Sequence, residues 1–543
     1  MMATIKKIKE EILNKFEFFY KNYSLVWILA FFVSIRSILK FFSRLLYEWL
    51  GPYNWDTPIY WAVGRGLLNG LKPYTDLWET KPPGIFFLSA LSLLLTGNVW
   101  FLNFFQVIVL IFTAIAPLLF LLFYKKEKRV KSFFPYFVAI VGGIIYALYS
   151  AERAGEVQIE SFGTAFCVLY ALLLAFYDSS EKKIPWFLII GMAISMLFSI
   201  GLKEPFFLIT VAIALIFCNS RKDYIMGFVL PLLLGGVLGI VALLVSGIFE
   251  PYIKEYLRYM LSSHLNRYGP IWERGFLFGL LWKDMNSFDM GLGTLTLSIF
   301  FSYLFVKLKE IKNRFIFQDV KYYLRNLLKN LLRISFFIVK AFLIAYLSML
   351  AVGAAGDFYN HHYAFAIATY VALFIYILRG YINNISFVTK SGILLVLGIM
   401  IVCAVVSLPV ISYNTRLADI RNHDLYARSE AMYVDKVLDK MNINRYFFIG
   451  PLGQQLYGYT KHSPYNPFFQ IYDFFYPGNE YFKQMFISNI QKSDIIVFDN
   501  YYILDLTNWT QGYINSNFSD IPWPEVSNIN RSYKKYTIYF RKK

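Results

Sequence analysis

Long uninterrupted apolar runs dominate the chain, and polar residues return in short clusters between them. Runs of about 18 or more apolar residues are long enough to cross a bilayer as helices. The first lies near 24–45. Later ones form pairs, 133–150 with 160–178, 185–200 with 205–219, 225–247 with 290–306, and 334–353 with 363–378, and a last run covers 391–412. Two further runs, 84–97 and 99–124, stand side by side. The first of them would make about 21 Å of helix, short of a core about 30 Å thick. It is therefore expected to be re-entrant or shallow. The pattern predicts an all-α polytopic membrane protein with roughly eleven spans. Beyond 413 the apolar runs shorten and turn residues return. There, 429–441 and 480–493 read as helices and 445–450, 494–499 and 536–540 as strands. Helix–strand alternation of this kind predicts a small α/β domain over 413–543.

Charge orients these elements. Basic clusters at the N-terminus, at 125–131, at Lys182–Lys183, at Arg221–Lys222, over 307–333 and from Arg379 to Lys390 are expected on the cytoplasmic side by the positive-inside rule. The resulting layout is a cytoplasmic helix over 1–23, a transmembrane domain over 24–412, and an extracytoplasmic C-terminal domain, in a multi-pass plasma-membrane protein. No small-residue cleavage site precedes the first span, so a signal peptide is not expected. The turns at 46–83, 151–160, 201–205, 248–289 and 356–363 all fall on the extracytoplasmic face. The composition is 57% hydrophobic and only 16% charged, with mean hydropathy +0.47, against about 25% charged residues in soluble domains. The net charge of +18 follows from the cytoplasmic clusters and argues against nucleic acid as a partner. The three cysteines lie within apolar runs and form neither a disulfide frame nor a zinc motif.

Ionisable residues at membrane depth are costly and mark functional candidates. The first external loop, 46–83, carries Asp56, Arg65, Glu79 and Lys81 among Trp, Tyr, Gly and Pro. Its aromatic residues suit the membrane interface, so it is expected to lie along the membrane surface, with Asp56 and Glu79 either as acid–base groups or as capping carboxylates. Glu160 opens a span, either as a second acidic site or as a favourable charge at a helix N-terminus. Lys203 and Glu204 sit between two spans, where the lysine meets either an anionic headgroup or its own neighbour. His361, His362 and Tyr363 begin a late span and could hydrogen-bond a sugar or phosphate. Adjacent helical residues diverge by about 100°, so a shared metal is not implied, and no strong ligand set is present. Arg36, Lys40 and Arg44 share one helical face. Arg44 is placed to snorkel and Arg36 to face the interior.

The combination Asp56, the aromatic stretch 60–70 and Glu79-Thr80-Lys81-Pro82-Pro83 resembles the GT-C superfamily, in particular the dolichyl- or polyprenyl-phosphate-sugar transferases of the protein O-mannosyltransferase and lipid A aminoarabinose transferase type. Glu160 and His362-Tyr363 are similar to later features of that family. Departures are Thr57 in place of a second acid, Thr80 between Glu79 and Lys81, and Glu160 in place of Asp. The resemblance implies an inverting glycosyltransferase that moves a sugar from a polyprenyl-phosphate donor to a lipid, glycan or protein acceptor. Asp56 would be the general base, and Lys81 and Arg65 would bind the donor phosphate. Glu79 and Glu160 would form a second acidic site, with Lys203, His361, His362 and Tyr363 near the substrate. A divalent metal is not uniformly required. The alternatives are a lipid-sugar ligase or polymerase, which the basic 248–289 loop keeps open, and a transporter or flippase, which would be expected to show repeat symmetry.

Overall fold

A computed structural model describes residues 24–50, 56–97, 100–124, 134–151, 159–177, 185–261, 270–277, 293, 296–297, 299–300, 303, 320–354, 360–382, 431–449, 454–465, 480–499, 508–521 and 536–542. Apolar segments in a bilayer must satisfy their backbone groups internally, and the apolar runs among the described residues are accordingly helical. In chain order they are α1 (Ser24–Leu50), α2 (Thr57–Leu68), α3 (Gly84–Thr96), α4 (Trp100–Phe123), α5 (Phe134–Ala151), α6 (Ile159–Phe176), α7 (Trp186–Leu202), α8 (Phe206–Phe217), α9 (Arg221–Val245), α10 (Val320–Ala354) and α11 (Ala364–Ile382).

The chain is a multi-pass membrane protein of mostly helical fold. Among the described residues, four stretches are long and apolar enough to cross a membrane: Phe101–Phe123, Ile159–Phe176, Arg221–Val245 and His361–Arg379. Helix α11 is the hub. It is buried along nearly its whole length and packs on α5, α6, α8 and α10. Helix α9 is its opposite, with Leu233, Val237 and Val245 turned outward, as a lipid-facing helix requires. The 84–97 run forms the 13-residue helix α3, stopped by Gly97 in the left-handed region at φ +67°. The basic 320–333 stretch is helical and continuous with the following span in α10. The last expected span, 391–412, lies outside the described residues.

The C-terminal region folds as an α/β unit. Its elements are a helix over 431–441 (α12), β1 (Arg445–Ile449), α13 (Gln454–Tyr459), β2 (Ser463–Pro464), α14 (Glu480–Lys492), β3 (Ile495–Asp499), α15 (Asn508–Asn517), β4 (Phe518–Ile521) and β5 (Tyr536–Arg541). The sheet order is β2-β1-β3-β5-β4. Strand β1 is parallel to β2 and β3, and β5 is antiparallel to β3 and β4. Successive side chains of a strand point to opposite faces, and β1 divides accordingly. Phe447 and Ile449 join Phe486, Ile490 and Ile514 under α14 and α15. Tyr446 and Phe448 join Val434 and Leu438 of α12, and beyond them Ile59, Tyr60 and Val63 of α2. One face of the sheet therefore shares a core with the helix that follows Asp56.

Two expectations about charge change here. Arg44 is 2% exposed and ion-paired to Glu48, whereas Arg36 is exposed. A partner four residues along the same helix lets Arg44 stay inside. The first loop, in its described part, packs its aromatic residues into the protein. Tyr74, Leu77 and Trp78 are fully buried in protein. The helical segment 252–259 covers them: Trp78 stands edge-on to Tyr259, with ring centres 4.8 Å apart, and Tyr74 lies 4.9 Å from Tyr256.

Candidate active site

Asp56 immediately precedes α2, and Pro58 starts that helix with a preset φ. An aspartate there would ordinarily cap the backbone. This one makes no capping hydrogen bond. Its Oδ2 instead accepts from the Tyr60 hydroxyl at 3.2 Å and faces Lys81 Nζ at 3.5 Å. Lys81 also faces Glu79 Oε1 at 3.8 Å. That oxygen is held locally by the Thr80 amide (2.7 Å) and hydroxyl (2.8 Å). The side chains of Asp56 and Lys81 remain 27% and 18% exposed, so the pair is reachable.

The backbone around Lys81 is fixed from two sides. Tyr74 takes φ +69°, a costly conformation for a bulky residue. It is held there by its buried ring and by its hydroxyl, which donates to the Lys81 carbonyl at 2.8 Å. Just beyond the two prolines, Gly84 sits so close to the Gly201 carbonyl that an added Cβ would lie 2.5 Å from that oxygen. This contact sets the exit of the first loop against the turn that carries Lys203.

A second charged group stands on that turn. Lys203 Nζ hydrogen-bonds Glu160 Oε1 at the start of α6 and lies 3.3 Å from His362 Nε2, in the 3-10 turn Asn360–Tyr363 before α11. Lys203 therefore pairs with Glu160 and not with its neighbour Glu204, whose Oε1 accepts from the Tyr256 hydroxyl. Packing next to the charges holds the three elements together. An added Cβ on Gly163 would fall 2.0 Å from the Phe206 ring. Thr164 Oγ1 donates to the Ala364 carbonyl at 2.8 Å, and the rings of Phe206 and Phe365 are 4.5 Å apart.

The two charged groups act on one another. Burial pushes the Asp56 carboxyl up, but the charges of Lys81, His361 and Lys203 and the Tyr60 hydroxyl outweigh it and hold it below its ordinary value. Burial pulls the Lys81 ammonium down, yet Asp56, Glu79 and Glu160 raise it well above the usual lysine value. Glu79 goes the other way from Asp56: burial and the Asp56 charge lift it despite Lys81 and Thr80. Two neighbouring carboxyls are thus pushed in opposite directions, Asp56 down and Glu79 up.

Of the residues singled out in the sequence, Asp56, Glu79, Lys81, Glu160, Lys203, His361 and His362 converge here. Tyr363 is buried in the main apolar cluster beside them. Arg65 stands apart. Its guanidinium donates to the carbonyls of Tyr457 (3.3 Å) and Gly458 (2.7 Å) in the C-terminal unit and lies over Trp61. Tyr60, Tyr74 and Tyr256 were not singled out in the sequence. Only Tyr60 had a signal, since it stands one helical turn after Asp56.

No protein-family model matches the chain, and no curated protein matches it. The chain is similar in structure to ArnT from Cupriavidus metallidurans, solved bound to undecaprenyl phosphate, at a TM-score of 0.51 and 9% sequence identity, over 92% of this chain and 97% of that one. A likeness at this identity speaks for the fold, and it extends across both the membrane helices and the C-terminal unit. The chain has the GT-C fold.

Proposed function

We propose that this protein is an inverting glycosyltransferase that takes a sugar from a polyprenyl phosphate and works on the extracytoplasmic face, where the C-terminal domain also lies. The observation that carries the reading is Asp56, an ionised carboxylate released from helix capping and set against Lys81 within a GT-C fold. The ArnT structure was solved with undecaprenyl phosphate, which supports a polyprenyl-phosphate donor.

In this reading Asp56 takes the proton of an acceptor hydroxyl, and that oxygen attacks the anomeric carbon from the face opposite the phosphate. The carbon–oxygen bond to the phosphate breaks, and its electron pair leaves with polyprenyl phosphate. Negative charge grows on the leaving group, and Lys81 and Lys203 supply fixed positive charge there. Lys81 also links donor binding to base strength. Without donor it holds Asp56 ionised but weakly basic. A donor phosphate would share the ammonium and raise the proton affinity of Asp56 when the acceptor is to be activated.

The test is turnover by the purified protein in lipid, supplied with a panel of polyprenyl-phosphate sugars and followed by release of free polyprenyl phosphate. Release from at least one donor, with the anomeric configuration of the product inverted, is expected. Retention of configuration would exclude a single displacement with Asp56 as base.

A further inference from the structure

Glu160, His361 and His362 each offer one ligand atom, and the three atoms lie within 4.8 Å of one another. One carboxylate and two imidazoles are the donor set of a common catalytic zinc site. What stands at this cluster is Lys203, whose ammonium donates to Glu160 Oε1 and lies 3.3 Å from His362 Nε2. An ammonium has three N–H donors and no lone pair. The His362 Nε2 facing it is therefore the unprotonated nitrogen, and it presents to Lys203 the lone pair that a metal would take.

The two kinds of cation call for different spacings. Ligands about 2.1 Å from a tetrahedral zinc stand about 3.4 Å apart. Acceptors about 2.8 Å from an ammonium stand about 4.6 Å apart. Glu160 Oε1 and His362 Nε2 are 4.0 Å apart, midway between the two, so the same cage admits either cation with a small adjustment. Each element of the cluster is tied to a neighbour by the Gly163–Phe206 and Thr164–Ala364 contacts, so the three ligands keep their places when the lysine is removed.

We propose that Lys203 is a built-in cation occupying a metal-type cage of Glu160, His361 and His362, so that this site carries its positive charge without a divalent ion and gains a metal site only when the ammonium is removed. The use of that charge on a donor phosphate rests on the transferase reading. The occupancy of the cage does not, and it is read without any donor.

The experiment is zinc and manganese binding to the full-length protein in detergent, by metal analysis after equilibrium dialysis, for wild type, Lys203→Ala, and Lys203→Ala combined with Glu160→Gln. Wild type is expected to keep neither ion and to have the same thermal midpoint with and without chelator. Lys203→Ala is expected to gain one zinc ion per chain, and the double variant to lose it. Stoichiometric metal on wild type, or a chelator-induced fall in its midpoint that added metal reverses, would overturn the proposal, and this arm needs no variant to fold. A folded Lys203→Ala that takes up no metal would overturn it as well.

Discussion

Replacing Arg65 by methionine tests which of two tasks this arginine performs. The sequence pattern puts it beside the donor phosphate. The structure turns its guanidinium away, onto the carbonyls of Tyr457 and Gly458. A hydrogen bond to a charged group is worth roughly 1.5–3 kcal/mol net. The 2.7 Å bond counts in full and the 3.3 Å bond at the low end. Stacking over Trp61, at 5.5 Å, adds on the order of 0.5–1 kcal/mol. Methionine keeps most of the side-chain volume and removes every donor, so the clasp loses at least about 3.5 kcal/mol, or several hundred-fold in the equilibrium for local opening. The assay is hydrogen exchange followed by mass spectrometry over β1 and α13. Amides there that exchange through local opening are expected to speed up by about that factor, while those of α6 and α11 stay unchanged. Binding of polyprenyl phosphate to the variant is measured alongside. Unchanged exchange with lost lipid binding would refute the clasp and return Arg65 to the donor site.

Lys81→Met removes the cation beside Asp56 and is expected to lower turnover by about 10²–10³-fold, the usual loss for one positioned electrostatic group, with weaker polyprenyl phosphate binding; wild-type rates would refute its role. Glu79→Gln is a test of pH linkage. The folded-state pKa of Glu79 is raised above its ordinary 4.5, so its ionisation destabilises the fold as pH rises through that range. The variant's thermal midpoint is expected to exceed wild type at neutral pH, and the gain to vanish as pH falls below the ordinary glutamate value. A gain independent of pH would contradict the assignment. Gly84→Ala puts a Cβ 2.5 Å from the Gly201 carbonyl oxygen. Overpacking of this kind costs about 1–3 kcal/mol, and a melting curve identical to wild type would show the contact to be loose.

The described membrane helices and strands β1, β3 and β5 were legible because each is a local pattern: apolar runs bounded by basic clusters, and short apolar runs bounded by turns. Asp56 and Lys81 were legible for a related reason, since both stand in one loop with the Pro-Pro that shapes it. The sheet order was not, because the antiparallel β5 between β3 and β4 depends on pairings across the whole C-terminal region. The Glu160–Lys203–His362 cluster joins residues up to 202 positions apart, and only the packing of α6, α8 and α11 brings them together. Adjacent histidines on an α-helix diverge, which argued against a shared ion. The 3-10 turn instead lets both imidazoles reach toward Glu160. Arg65 could not be placed without knowing that the C-terminal unit rests on α2, and the burial of Tyr74 and Trp78 depends on the distant Tyr256 and Tyr259.

The most direct measurement of the central claim compares Asp56→Asn with wild type in lipid, following transfer and polyprenyl phosphate binding in the same preparations. Asparagine keeps the shape and the hydrogen bond from Tyr60 but accepts no proton. The account predicts that transfer is abolished while polyprenyl phosphate still binds, because Lys81 and Lys203 remain. Transfer at the wild-type rate by a folded Asp56→Asn protein would contradict the assignment of Asp56 as the base.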